Sequence, residues 1–278
     1  MYRNKLAFLA STALSLGLVQ TASAAPPTPY SWTGFYVGAN VGYSWGDAGN
    51  GRADVSTFTQ TTPFDFIFPG GGSVIPLGNV NGAIAGGQAG YNWMFSPGWL
   101  AGFEIDLQWS GQKASGSASF AGSIDTGSPN CSPTICVFTN TTDITAKLAW
   151  FGTARARVGA ISSNTLFYGT GGLVFGEVSV KGTNTFTVEG ITGAGTATYS
   201  TIIDNSKVKT GWTLGAGIEG HIGASNWTWK VEYIHIDLGS IGGGSFGSVP
   251  IVTISSVKFT DEIARFGVNY FFTAAPSP

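Results

Sequence analysis

The sequence is poor in charge, in histidine and cysteine, and in long apolar runs, and each shortage excludes a class of protein. Charged residues make up only 10% of the 278 positions, and acidic residues outnumber basic ones by 15 to 13, which argues against a nucleic-acid partner. After residue 24 there is no run of about 20 strongly apolar residues, so membrane-spanning helices are not predicted. Two histidines and two cysteines offer little material for a metal centre.

The first 24 residues have the three parts of a secretory signal peptide. Arg3 and Lys5 form a positive start, residues 6–19 are apolar, and Ala22 to Ala24 is a small-residue cleavage site. We predict cleavage after Ala24, which would leave an exported chain with 11 basic and 15 acidic residues. The alternative, a retained transmembrane helix, is disfavoured because the segment is short and ends in a processing signal.

Eight later segments alternate between apolar and polar residues with a period of two, which indicates β-strands. The clearest is the third, from Trp99 to Trp109, where apolar side chains take one parity and Glu104, Asp106 and Gln108 take the other. Eight of the nine tryptophans follow the apolar parity, and only Trp32 does not. Because charge collects on the other parity, we expect apolar side chains to face lipid and charged ones to face a closed lumen.

The predicted connections alternate between short turns and long segments rich in Thr, Ser, Gly and Asn, which is typical of outer-membrane barrels. The predicted fold is all-β: an eight-stranded antiparallel transmembrane β-barrel with four long extracellular loops and short periplasmic turns. The predicted organisation is a signal peptide over 1–24, a periplasmic segment over 25–33, the barrel over 34–272 and a short C-terminal extension over 273–278. A soluble β-sandwich is the alternative, and it would have to bury the tryptophans.

Charged residues on the inward parity form a predicted lumen network of five acids and six bases: Glu104, Asp106, Lys147, Arg155, Arg157, Glu177, Lys209, Glu219, Lys230, Glu232 and Arg265. The interior of an eight-stranded barrel is just wide enough for side chains to fill. Isolated buried charges are costly, whereas balanced charges can pair, so we expect a salt-bridged plug. A narrow ion pathway lined by the same residues is the competing interpretation.

The sequence predicts no catalytic residue, cofactor or metal site. His221 is predicted to face inward near the periplasmic end of the sixth strand, and His235 outward near the outer end of the seventh. Asp237 and Ser240 lie close to His235, but residues of one strand do not assemble a catalytic triad. We therefore expect a protein that is not an enzyme.

Cys131 and Cys136 are separated by four residues in a predicted outer loop, in the sequence CSPTIC. An exported loop lies in an oxidising compartment, which favours a disulfide between the two cysteines. No histidine lies nearby, so a metal site at this position is not expected.

Several strand segments resemble one known family: WTGFYVGANVGYSWG (32–46), WFGTARARVG (150–159), YGTGGLVFG (168–176), WTLGAGIEG (212–220), WKVEYIHIDLG (229–239) and RFGVNYFF (265–272). They are similar to the rhizobial and Brucella-type immunogenic outer-membrane proteins, within the OmpA-like eight-stranded barrels. The resemblance covers essentially the whole mature chain. It implies a location in a Gram-negative outer membrane, with membrane lipid and lipopolysaccharide as partners.

Members of this family commonly end at a terminal aromatic residue, which the barrel-assembly machinery recognises during insertion. By resemblance, Phe266, Val268, Tyr270 and Phe272 form the assembly signal of this chain. Six residues follow Phe272 here, and that extension is too short for a peptidoglycan-binding domain.

The function expected from the sequence is structural: an outer-membrane protein that supports envelope integrity and surface exposure, with its lumen closed by paired charges. A small porin that passes ions or small solutes is the first alternative. A surface receptor or adhesin acting through the outer loops is the second, and the sequence indicates no ligand for it.

Overall fold

The described residues fold almost entirely into β-strands. The computed structural model describes residues 31–48, 51–56, 58–60, 66–68, 70–125, 135–191, 195–247 and 252–272. Twelve strands lie in these ranges: β1 (Gly34–Ala48), β2 (Gly51–Val55), β3 (Phe58–Gln60), β4 (Phe66–Phe68), β5 (Gly71–Ile75), β6 (Asn79–Ser96), β7 (Trp99–Asp125), β8 (Ile135–Ser162), β9 (Thr165–Ile191), β10 (Gly195–His221), β11 (Trp227–Phe246) and β12 (Val252–Phe271). Within these ranges, no helix is long and apolar enough to cross a membrane.

Eight of the strands form a closed antiparallel ring in the order β1-β6-β7-β8-β9-β10-β11-β12, and β12 pairs back with β1. The strands are staggered around this ring. If each residue is followed to its partner on the next strand, a path that starts at Trp45 of β1 returns to β1 at Phe35, ten residues away. An offset of this size tilts the strands by roughly 40° from the barrel axis. Each strand of the ring has two hydrogen-bonded neighbours, which confirms the predicted eight-stranded barrel.

Three short turns define one end of the barrel, called here the lower end. Gly98 in the β6–β7 turn and Gly223 in the β10–β11 turn have φ values of 80° and 60°. Ser163, in the β8–β9 turn, adopts a φ of 55°, a backbone conformation that residues other than glycine rarely adopt outside tight turns. The amide of Ile161 donates to the carbonyl of Gly98 at 2.7 Å and joins two of these turns.

At the opposite, upper end the sheet continues well beyond a membrane's thickness. Strands β7 to β10 are 27 or 28 residues long, whereas a tilted spanning strand needs about 9–11. Much of the predicted loop sequence therefore extends the strands. Above the end of β1, β2 pairs with β12 and β5 pairs with β2, while β3 and β4 form a separate two-stranded sheet.

Large apolar side chains cover the outside of the barrel, and the aromatic ones form two girdles. Each girdle residue is more than 40% exposed. The lower girdle contains Phe35, Trp93, Phe95, Trp99, Phe167, Trp227 and Phe272, and the upper girdle contains Tyr43, Trp45, Trp109, Trp212 and Tyr233. Aliphatic residues such as Ile105, Leu107 and Leu214 lie between them. An apolar exterior bounded by aromatic belts is the arrangement that a lipid bilayer requires.

The orientation predicted for the upper half of the fourth strand is wrong. Ile144 and Leu148 were expected to face lipid, but both are buried inside the barrel. The register of β8 against β9 shifts between Leu148 and Trp150, so Ala149 is an extra residue there. A bulge of one residue exchanges the two faces of the strand above it.

The orientation predicted for the fifth strand is also wrong. Tyr168, Val174 and Val178 were assigned to the lipid side, yet all three are buried inside the barrel. The outward positions of β9 include Gly169 and Gly171, which carry no side chain to mark the lipid face. Phe167, Leu173 and Phe175 are outward as well, so apolar residues lie on both faces of this strand and its alternation was ambiguous.

Candidate functional site: the barrel interior

Eight of the eleven predicted lumen residues meet inside the barrel, and we call these eight the ion network. They come from β7, β8, β10, β11 and β12: Glu104, Asp106, Arg155, Arg157, Glu219, Lys230, Glu232 and Arg265. None of them is more than 6% exposed. They face inward because the alternation of each strand directs its apolar neighbours to lipid.

Glu104 lies at the centre of the ion network. Its Oε1 accepts hydrogen bonds from Arg155 Nη2 at 2.5 Å and from Arg265 Nη2 at 3.2 Å. Its Oε2 accepts from Lys230 Nζ at 2.7 Å and from the hydroxyl of Tyr36 at 2.8 Å. One carboxylate of β7 thus connects side chains from β1, β8, β11 and β12.

Arg155 and Arg265 each bridge two further carboxylates. Arg155 donates from Nη2 to Asp106 Oδ2 at 2.9 Å and from Nη1 to Glu232 Oε1 at 3.3 Å. Arg265 donates from Nε to Glu232 Oε2 at 2.7 Å and from Nη2 to Asp106 Oδ2 at 3.2 Å. Because each guanidinium presents several fixed donors, two arginines hold three acids in one arrangement.

Arg157 extends the ion network toward the lower end. Its Nη2 donates to Glu219 Oε2 at 2.6 Å, and its Nη1 donates to the hydroxyl of Tyr36 at 2.9 Å. The guanidinium carbon lies 4.0 Å from the ring centroid of Tyr168, a cation–π contact. The other oxygen of Glu219 accepts from Thr228 at 2.6 Å and from Asn269 at 2.8 Å.

The four acids and four bases of the ion network give a formal charge of zero. Burial of a single ion costs several kcal/mol, and only close pairing with good hydrogen-bond geometry offsets that cost. Removal of one partner would leave its neighbours charged and without compensation. The arrangement is therefore stable as a set and sensitive to the loss of any member.

Further polar residues, among them the buried acid Asp261, continue the interior above and beside the ion network. Asn40 donates to Gln88 at 2.6 Å, and Gln88 donates to Asn269 at 2.7 Å. Nearer the upper girdle, Gln112 donates to Asp261 Oδ2 at 2.7 Å. These contacts connect β1, β6, β7 and β12 across the interior.

Apolar side chains fill the interior above and below the polar layers. Above them lies a cluster that includes residues of β6, β8, β11, β12 and the paired strands β2 and β5: Ala53, Val55, Ile75, Ile84, Leu148, Phe151, Ile234 and Ile263. Below them lies an aromatic cluster: Trp32, Tyr36, Leu100, Leu166, Tyr168 and Phe271. Trp32 precedes β1 and is only 1% exposed, with its ring centroid 4.2 Å from that of His221.

Three predicted lumen residues do not join the ion network. Lys147 is exposed on the outer face, because the extra residue at Ala149 reverses the faces of β8 above it. Glu177 is also on the outer face, since β9 has the opposite orientation to the predicted one, and it accepts a hydrogen bond from Trp150 Nε1 at 2.8 Å. Lys209 keeps the inward parity of β10, but it lies above the ion network and is partly exposed.

The other predicted positions occupy different parts of the molecule. His235 faces outward and lies 2.7 Å from Glu262, with its ring against Trp212. Cys136 is buried and disulfide-bonded, whereas Cys131 lies outside the described residues. In the residues described, no group of three or more His, Cys, Asp or Glu side chains could hold a metal ion.

The residues of the predicted assembly signal alternate with inward ones along β12. Phe266 and Phe272 are 49% and 63% exposed on the outer face, and Val268 and Tyr270 are half-buried there. Their strand pairs with both β1 and β11 and so closes the ring. Residues 1–30, which include the predicted signal peptide, and 273–278 lie outside the described residues.

Sequence analysis did not assign Tyr36 and Tyr168 to the ion network, although both contact its charged groups. The signal for Tyr36 was its inward parity in the first strand, where it is a bulky residue among Gly, Asn and Ser. Tyr168 had no such signal, because the orientation of its strand was predicted the wrong way round.

A closed antiparallel ring with a charged interior and two exterior aromatic girdles defines the class of transmembrane β-barrels found in outer membranes. The model of the family described as "Outer membrane protein beta-barrel domain" matches residues 11–272. The chain belongs to this family, and its location is the outer membrane of a Gram-negative cell.

Two sequence relatives agree with this assignment. The chain is 34% identical over 254 residues to the 31 kDa outer-membrane immunogenic protein of Brucella melitensis, covering 90% of this chain and 88% of that protein. It is 29% identical over 230 residues to the 22 kDa outer membrane protein of Rhizobium leguminosarum, covering 81% and 75%. Among solved structures, Neisserial surface protein A matches with a TM-score of 0.36 and 13% identity, covering 86% of this chain and 98% of that one.

Proposed function

We propose that this chain is a non-enzymatic structural protein of the outer membrane, whose interior is sealed by paired charges and which supports envelope integrity. The observation that carries the proposal is the burial of the ion network, in which none of the eight charged residues is more than 6% exposed. A conducting pathway would require these groups to contact water, because ions move through wet, partly hydrated pores.

The layers around the ion network support the same proposal. An ion that entered from above would first have to cross the apolar cluster around Phe151 and Ile263. From below it would meet the aromatic cluster around Trp32 and Phe271. The upper cluster offers no polar group to replace lost hydration, and in the lower one large aromatic rings fill the space, so both are barriers to ions.

The absence of catalysis is proposed from the positions of the two histidines. His221 packs against Trp32 at the lower end, and His235 contacts Glu262 on the outer face. Tyr233 donates to the other oxygen of the same Glu262 at 2.6 Å. Both oxygens of that carboxylate are thus occupied, and the group on the outer face suits an interfacial anchor.

Single-channel recording of the refolded chain in a planar bilayer tests the sealed interior. We expect no stable openings from the native sequence. The multiple variant Glu104→Ala, Arg155→Ala, Phe151→Ala and Phe271→Ala removes the centre of the ion network and one large side chain from each apolar cluster, and it is expected to conduct. The matched control, Asp143→Ala and Lys147→Ala, removes an acid and a base from the outer face and should stay silent. Reproducible openings of uniform size from the native sequence would favour the porin alternative.

A surface receptor or adhesin is the second candidate, and the height of the barrel favours it. Strands β7 to β10 continue above the upper girdle and present polar outer faces with Ser115, Thr145 and Lys181. Expression of the chain on a non-adherent bacterium, followed by attachment assays on host cells, tests this candidate.

A further inference from the structure

Two lysines form a like-charged pair on the outer face of the barrel. Lys113 on β7 and Lys147 on β8 are direct partners in the strand register, and both are exposed. Partners of this kind have Cβ atoms about 5 Å apart, and like charges in this position destabilise a sheet. An anion between or above the two ammonium groups would offset this repulsion.

Neither lysine has an ion-pair partner among the described residues. Glu177, an outward acid on the neighbouring strand β9, directs its Oε2 to Trp150 Nε1 at 2.8 Å. By contrast Lys181, which is also exposed on the outer face, is paired with Asp204 at 3.1 Å. Glu177 keeps its charge in its contact with Trp150, so the two lysines leave a local excess of one positive charge beside it, on a chain of net charge −2.

The pair lies just above the membrane boundary marked by the upper girdle. Trp109 and Trp150 are partners in the same two strands, and the lysines follow four residues later on β7 and three residues earlier on β8. With a rise of about 3.3 Å per residue and a tilt of roughly 40°, the lysine Cα atoms stand about 8–10 Å above those of the tryptophans. This is the depth of the polar headgroups beyond the hydrocarbon core.

We propose that Lys113 and Lys147 together bind a phosphate group of the lipid A portion of lipopolysaccharide in the outer leaflet. The location of the protein in the outer membrane places phosphorylated glycolipid against this face. Two ammonium groups supply up to six donors to one phosphate, and the exposed ring of Trp109 beneath them contacts the acyl chains. Hydroxyls of Ser115 and Thr145, which are 2.9 Å apart on the same two strands, lie next above the pair.

The proposal is tested by native mass spectrometry of the refolded full-length mature chain in detergent. The probes are bisphosphorylated lipid A, the same lipid A with its phosphates removed, and phosphatidylglycerol. We expect the native chain to retain bisphosphorylated lipid A in preference to both other lipids. Each variant, Lys113→Gln or Lys147→Gln, should weaken retention about fivefold, and the double variant about 30-fold.

Lys181→Gln is the matched control, because it removes an exposed lysine from the same face that already has a carboxylate partner. It should bind lipid A as the native chain does. Two results would overturn the proposal: undiminished retention by the double variant, or equal retention of phosphate-free lipid A or phosphatidylglycerol by the native chain. Heat-modifiable migration in gels checks that each variant is folded. The inference rests on the membrane location and not on the sealed interior, so either can fail without the other.

Discussion

Glu104 shows how a single buried carboxylate organises the barrel interior. It accepts hydrogen bonds from two arginines, a lysine and a tyrosine that belong to four different strands. Its inward direction was predicted from the alternation of the third strand. Its partners were predicted only as a set. Alternation tells which face of a strand a residue takes, but it does not tell which residues of different strands lie at the same height in the barrel.

The substitution Glu104→Gln is expected to destabilise the barrel by about 3–5 kcal/mol, because it leaves buried cations without their central partner. Denaturant unfolding, followed by loss of the heat-modifiable band, measures the change as a lower midpoint. Asp143→Asn on the exposed face of β8 serves as the control and should leave the midpoint unchanged. An unaltered midpoint for Glu104→Gln would mean that the charge of Glu104 adds nothing to stability.

At the scale of single strands, predictability depended on how strongly the two faces differ. In β7 every outward residue from Phe103 to Trp109 is large and apolar and every inward one is polar, so the orientation was clear. In β9 large apolar residues lie on both faces, with Phe167 and Leu173 outward and Tyr168 and Val174 inward, so the pattern was ambiguous. In β8 the alternation predicted the correct faces below Trp150, but the bulge at Ala149 exchanges the two faces above it.

Cysteine labelling of β8 tests the bulge. Lys147→Cys should react with a membrane-impermeant maleimide added to intact cells, because that position faces outward above the girdle. Leu148→Cys should not react, because Leu148 is 0% exposed and lies inside the upper apolar cluster. Uninterrupted alternation from Arg155 would direct position 147 inward, so the opposite labelling pattern would exclude the bulge. The native disulfide at Cys136 does not compete for the reagent.

At the scale of the whole molecule, the distribution of tryptophan distinguishes the outside of the barrel from its interior. Trp212 is 50% exposed in the upper girdle, and Trp32 is 1% exposed inside the lower end. Two variants that each retain one tryptophan, Trp32 or Trp212, are therefore expected to differ in bilayers of brominated lipid. Fluorescence of the Trp212 variant should be strongly quenched, and fluorescence of the Trp32 variant should persist. Equal quenching would contradict the burial of Trp32 within the barrel.

The sequence by itself determined the class of fold, the lipid-facing side of six strands and the charged character of the interior. It could do so because a closed sheet in a membrane must present apolar residues outward and polar residues inward at every second position. Only the tertiary structure decided that Lys147 and Glu177 lie outside, that Tyr36 and Tyr168 join the charges, and that predicted loops continue as strands above the membrane. These features depend on bulges and on the ten-residue offset of the ring, which bring together residues whose proximity no local pattern encodes.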